Sequence, residues 1–246
     1  MIKTFVIHVS KGYEERRKHI DKHLPEVGIT DYEYMLAGDI DDLSDDVRNG
    51  FFDDSLRLPE KSCFYKHYLV MKKVVEEQIP QVLVLEDDAF LNSDFIEQLE
   101  AFQSELAGEE KYLVNIEEAS SLVPASVRVP NQHLYLCKTN KLTGGLLYDL
   151  SFARAMVEHM ENNITDAPID GYIGNERTTL EYNIFWTHPP LVRQGSKTGA
   201  FDSELSGRTS GLYATVRSWF KEGYRTHVRS HVSSKHKALF KNITKY

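Results

Sequence analysis

The sequence predicts an α/β protein built on a mostly parallel sheet flanked by helices, and three observations carry that prediction. Short apolar, β-branched runs alternate with segments of helical period along most of the chain. One run, Val82-Leu83-Val84-Leu85, has no polar break, as expected of a strand buried on both faces. The composition, 41% hydrophobic and 27% charged over 246 residues, can fill a core and excludes a chain disordered throughout. The length suits one large domain or two small ones.

Ile2 to Val9 reads as the first strand, broken by Ser10-Lys11-Gly12, and Tyr13 to Leu24 follows with helical spacing. Tyr32 to Leu36 is a second strand. Gly38 to Asp54 carries seven Asp and no Glu and reads as a surface loop. A long helix is predicted from Pro59 or Glu60 to Gln78, since proline suits a first turn and Tyr65, Leu69, Val70, Lys73 and Val74 keep the period. Val82–Leu85 completes a βαβ unit. Ser93 to Leu106 is a helix that Ser93 caps and Gly108 ends. Tyr112–Ile116, His133–Leu136 and Asn183–Thr187 are further strands, and Ser151 to Met160 is helical. Asp166 to Leu180 holds a loop and a helix, and the Gly- and Ser-rich stretch from Arg193 to Arg208 reads as loop.

Charge divides the chain. Residues 206–246 hold nine basic side chains and one acid, a net of +8, which leaves residues 1–205 with a net of −16. The acidic body, 1–205, speaks against nucleic acid as a partner, because phosphate binding needs a positive face. In the basic segment, 206–246, Arg217, Lys221, Arg225 and Arg229 recur every fourth residue beside Val216, Phe220, Tyr224 and Val228. At 3.6 residues per turn these form a basic and an apolar stripe on one helix. Such a helix either packs on its own domain or makes peripheral contact with an anionic membrane. No apolar run approaches the roughly 18 residues that cross a bilayer, and Met1–Ser10 is read as mature structure. Cys63 and Cys137 match no disulfide or metal spacing, so a reducing, cytoplasmic setting is expected, at the inner membrane face if the basic helix binds lipid.

The sharpest feature follows the buried run. Glu86-Asp87-Asp88 places three carboxylates at the carboxyl end of an interior strand, where open α/β sheets bind ligands. Adjacent acids repel unless they diverge or a cation lies among them, and Mg²⁺ or Mn²⁺ takes carboxylate oxygens together with a substrate's phosphates. In an extended stretch Glu86 and Asp88 face one way and Asp87 the other. A solvated turn is the competing reading. Gly195-Ser196-Lys197-Thr198 imitates a P-loop ending but lacks the glycine before the lysine. A receiver domain needs an aspartate one strand later, and none lies between Asp94 and Asp149. A sugar-nucleotide transferase site remains.

Several blocks, in order, resemble glycosyltransferase family 25. Val6-Ile7-His8-Val9-Ser10 with Glu15-Arg16-Arg17 is similar to its opening strand and helix. Glu60, Cys63 and His67 fall where the family has G-E-I-G-C-x-x-S-H, with Pro59 and Lys66 departing from it. Leu83 to Asp88 resembles its L-E-D-D. Leu146 to Ala153, Pro168-Ile169-Asp170, and His188-Pro189-Pro190 with Gln194 and Ser203 resemble its later blocks. The resemblance implies a GT-A-like, Rossmann-type fold, a UDP-sugar donor and Mn²⁺ or Mg²⁺. It implies transfer of a hexose, most simply galactose, to a saccharide or glycolipid acceptor of a lipopolysaccharide-type glycan.

On that reading Glu86 and Asp88 are the metal ligands and Asp88 a catalytic residue. Asp170 is the second catalytic candidate, as base toward the acceptor hydroxyl. Ser10, Arg16, Arg17, His67, Asp87 and Gln194 are expected around the donor, guanidinium being matched to phosphate. Each has a plainer alternative: exposed arginines, a satisfied core histidine, a helix cap at Asp170. Lys66 is expected to be solvated, with contact to an anionic donor as the alternative. Trp186 and Trp219 are read as core before sugar platforms. The alternative function is a catalytically inactive sugar-nucleotide or glycan-binding module on the same scaffold.

Overall fold

The computed structural model describes residues 2–119, 121–198, 201, 220 and 223–240. Seven strands form one sheet in the order β2-β1-β3-β7-β5-β8-β6. They are β1 (Lys3–Ile7), β2 (Tyr32–Met35), β3 (Gln81–Glu86), β5 (Tyr112–Asn115), β6 (Leu134–Cys137), β7 (Gly145–Asp149) and β8 (Asn183–Thr187). β1, β2, β3, β5 and β8 point one way and β6 and β7 the other. The expected α/β class, with a mostly parallel sheet, is met.

Side-chain alternation explains the unbroken apolar runs. Phe5, Ile7, Val82 and Val84 enter one core, under α2 (Leu58–Glu76) and α4 (Leu150–Asn162). Val6, Leu83 and Leu85 enter the other, under α1 (Glu14–Glu26) and α3 (Phe95–Glu105). Successive strand residues face opposite sides, so a strand covered on both must be apolar throughout.

Three expectations change. The acidic Gly38–Asp54 stretch is not simply a surface loop: Asp39, Leu43 and Phe52 are buried, and short helical turns form at Ile40–Asp42 and Val47–Phe51. Phe51 and Phe52 anchor it by ring contacts with Phe64 on α2. Ser93 does not cap α3; Asp94 occupies that position and makes no side-chain cap bond. Ala89–Leu91 (β4) pairs antiparallel with Val192–Gln194 (β9), so the segment after Arg193 begins in a strand and not a loop. Three-residue strands are too short to print a period. The helical turn Gly195–Thr198 follows.

Behind α4, two short helices, α5 (Ile169–Asn175) and α6 (Arg177–Leu180), lead into β8. Among its described residues the basic segment is helical in short pieces, with turns at Arg225–Arg229, Ser230–Val232 and Ser234–Lys237 and an extended break at Ser233. Residues 236–240 dock on the domain. Lys138 N donates to Leu239 O at 3.1 Å, His236 Nε2 lies 2.6 Å from Leu122 O, and Phe240 packs edge-on against Trp186. Tyr224, Val228 and Val232 stay exposed. Ser203, Arg217, Trp219 and Lys221 lie outside the described residues, as does the expected boundary at 205/206. No described helix is long and apolar enough to cross a membrane.

Candidate active site

A cleft of about 570 Å³ opens at the carboxyl ends of β1 and β3. Ser10, Arg16, Glu86, Asp87, Asp88, Asp170 and Gln194, spread over 185 positions of sequence, all line it. Arg17 and His67 do not. The Arg17 guanidinium lies 4.8 Å from the Tyr34 ring, and His67 is fully buried on α2.

The three acids diverge as an extended stretch requires. Asp87 turns toward β1 and α1, where Oδ2 lies 2.7 Å from His8 Nδ1 and Oδ1 accepts from Arg16 Nη1 at 2.8 Å. Asp87, expected at the donor, lines the cleft and through these contacts ties the end of β1 to α1 and fixes Arg16 at the cleft edge. Burial opposes the charge on Arg16, but Asp87 and Asp88 outweigh it and raise its pKa.

Glu86 and Asp88 face the β7 and β9 side. Glu86 Oε1 accepts from Thr143 Oγ1 at 2.9 Å, and Oε2 accepts from Gln194 Nε2 at 2.7 Å. Gln194 therefore positions a carboxylate. It can do so because Gly144 leaves room: a Cβ there would lie 2.7 Å from the Gln194 side chain. Asp88 Oδ2 accepts from Ser196 N at 2.9 Å, and Asp88 O accepts from Gly195 N at 2.7 Å. Asp88 Oδ1 is buried and has no hydrogen-bond partner. Burial, and then the charge of Glu86, raise the Asp88 pKa. An oxygen-only donor pair with an unsatisfied buried oxygen is the set that Mg²⁺ or Mn²⁺ takes, so the residues present fit such an ion.

The opposite wall is closed by a network that sequence reasoning missed. Lys66, expected in solvent, is 1% exposed. Its Nζ lies 2.8 Å from Asp39 Oδ1 and donates to Leu36 O at 2.7 Å and Ala37 O at 3.2 Å. Asp39 Oδ2 accepts from Ser10 N at 3.0 Å and from the Ser10 hydroxyl. Burial works against the Asp39 charge, yet Lys66 and Ser10 prevail and hold its pKa below the ordinary carboxylate range. Ser10 thus braces the wall. The buried face of α2 mixes Lys61, Ser62, Lys66 and His67 with apolar residues, so no pattern singled Lys66 out.

Asp170 is the second residue of α5, and its Oδ1 accepts from Gly171 N at 2.9 Å. Pro168, not Asp170, occupies the cap position. Trp186 is core: it is buried, and its indole donates to Thr139 O at 2.9 Å. Thr143, a single hydroxyl residue in a loop, carries no pattern in the sequence, and Ser196 stands there only within the P-loop imitation, which forms the helical turn Gly195–Thr198.

A buried strand delivering divergent carboxylates into a cleft at the strand ends of an α/β sheet defines a candidate ligand site. The chain belongs to glycosyltransferase family 25: residues 1–168 match the family described as "Glycosyltransferase family 25 (LPS biosynthesis protein)". It is 27% identical over 121 residues to the lipooligosaccharide biosynthesis protein lic2B of Haemophilus influenzae, a match covering 46% of this chain and 45% of that protein. The chain thus spans less than half of that curated relative. Among solved structures, a glycosyltransferase involved in glycosylation of the major capsid of PBCV-1 aligns at TM-score 0.43 and 11% identity, covering 89% of this chain and 98% of that one. A197 from STIV aligns at TM-score 0.36 and 11% identity, over 76% of this chain and 81% of that one.

Proposed function

We propose that the chain moves a hexose, galactose as the first substrate to test, from a UDP-sugar to a saccharide acceptor of a lipopolysaccharide-type glycan. The observation that carries the reading is Asp88 Oδ1, buried without a partner beside Glu86 in the cleft of a family 25 chain. Glu86 and Asp88 hold a divalent ion, Mn²⁺ or Mg²⁺, which when bound supplies positive charge to the leaving diphosphate. Arg16, held by Asp87, presents a guanidinium to the same phosphates. Gln194 and Thr143 keep the Glu86 carboxylate aimed. Asp170 takes the proton of the acceptor hydroxyl from the α5 wall.

The test is UDP release from UDP-galactose with a saccharide acceptor, with and without Mn²⁺, for the wild-type chain and Asp88→Asn. Turnover that needs both the metal and Asp88 is expected. Tight UDP-sugar binding with no release, at any acceptor, would make the chain a binding module instead.

The acceptor is a membrane-borne glycolipid on this reading, met at the cytoplasmic face. Arg225 and Arg229 beside the exposed Tyr224, Val228 and Val232 support contact with an anionic surface. Cosedimentation with phosphatidylglycerol vesicles but not with phosphatidylcholine vesicles is expected. Equal binding to both, or none, would remove the membrane from the proposal.

A further inference from the structure

Beneath Glu86 lies a second donor set of different chemistry. Cys63 and His67 are one turn apart on the same face of α2. The Cys63 thiol, a ring nitrogen of His67 and a Glu86 carboxylate oxygen lie within 4.8 Å of one another. His67 is 0% exposed, and neither ring nitrogen has a hydrogen-bond partner. Its Nε2 stands 4.0 Å from Glu86 Oε1. A buried imidazole left bare at both nitrogens has lost its water without compensation and calls for an occupant.

We propose that Cys63, His67 and Glu86 bind a borderline-soft divalent cation of the Zn²⁺ type. Around a four-coordinate ion, bonds of about 2.0–2.3 Å hold nitrogen, oxygen and sulfur donors roughly 3.3–3.8 Å apart. His67 and Glu86 stand 4.0 Å apart and all three donors lie within 4.8 Å, so side-chain rotations that draw them in by about 1 Å would complete the set. Thiolate and imidazole select Zn²⁺ or Co²⁺, whereas the all-oxygen pair Glu86 and Asp88 selects Mg²⁺ or Mn²⁺. Three protein ligands leave a fourth position, and Cys63 and Glu86 both line the cleft, so that position is reached from the substrate side. Glu86 is common to both sets. The ion would anchor it from below, as Gln194 and Thr143 hold it from above. The site goes beyond the proposed transfer and does not depend on it.

Cobalt is the probe. The full chain, stripped with chelator and desalted, is titrated with Co²⁺ and read by thiolate-to-cobalt charge transfer and the visible bands of a four-coordinate ion. One equivalent should bind with a thiolate band, and Zn²⁺ should displace it. Cys63→Ser should abolish the band, and His67→Gln should weaken binding at least about tenfold. Cys137→Ser and Asp88→Asn should keep both band and affinity. Circular dichroism of each variant confirms folding, and Cys63→Ser, nearly isosteric, guards against a collapsed core. Absence of a thiolate band in the folded wild-type chain, or its survival in Cys63→Ser, overturns the site. Asp88→Asn separates the two readings: a lost UDP-releasing activity with an intact cobalt band leaves this site standing whatever becomes of the other.

Discussion

Asp87 and Asp88 are neighbours in one turn, yet they belong to two different walls. On the β1 side the two buried carboxylates are answered: Asp87 meets His8 and Arg16, and Asp39 meets Lys66 and Ser10. On the β7 and β9 side Asp88 keeps one bare oxygen beside Glu86; beneath that pair, outside the cleft lining, His67 on α2 keeps two bare nitrogens. Buried polar groups are normally satisfied, so the closed wall is architecture and the open wall is where something else binds. The contrast makes opposite forecasts for substitutions on the two sides.

The largest effect belongs to the closed wall. Lys66→Met leaves Asp39 with a carboxylate whose main partner is gone, and breaking such a buried pair costs about 3–5 kcal/mol. Denaturant unfolding should report that loss. Adding Asp39→Asn should return part of it, because the stranded charge is then removed. A single variant as stable as wild type would mean the wall is not built on this pair.

Asp88→Asn should invert the pattern. Turnover falls about 10²–10³-fold, the scale of losing one preorganised electrostatic group. The melting temperature holds or rises, because a carboxylate that burial and Glu86 already disfavour has become neutral. A large loss of stability would place Asp88 with the architecture, and the comparison of the two walls would fail.

These opposite roles were only partly legible in the sequence. The strand bearing Glu86 was visible because a sheet covered on both faces forces an unbroken apolar run, as at Val82–Leu85. The carboxylates' divergence followed from the two-residue period. What periodicity does not encode is which of two equal side chains finds a partner across 71 residues, as Asp87 finds Arg16. Lys66 shows the same blindness. Its place on α2 was clear, but not the two carbonyls and the carboxylate of a distant loop that make a buried ammonium tolerable. The β4–β9 ribbon, which carries Gln194 to Glu86, rests on two strands of three residues each.

Gly144→Ala tests how far the open wall depends on aim. The new Cβ would fall 2.7 Å from Gln194 Cγ and Nε2, so the amide must swing off Glu86. The clash takes in Cγ of a buried side chain as well as its amide, so the whole side chain must turn and a modest loss of stability should accompany the change. Turnover should drop about tenfold, close to 1.4 kcal/mol in the barrier. Unchanged turnover would show that Gln194 is not needed to position Glu86.

The smallest effect asks whether a bare buried atom alone marks a site. His188 Nδ1 also lacks a partner, but His188 does not line the cleft. Burial, reinforced by Arg128 and His231, pushes its pKa down to about 4. The folded state therefore favours the neutral ring, and between about pH 4 and 6.5 the unfolded chain binds more protons. The stability due to the neutral ring is complete above about 6.5 and is lost as pH falls toward 4. After solvent screening the loss is on the order of 1 kcal/mol. His188→Gln should flatten that part of the stability–pH curve and leave UDP release at neutral pH unchanged. Lost turnover in this variant would mean that bare atoms outside the cleft also serve the reaction, and the open wall would no longer be special.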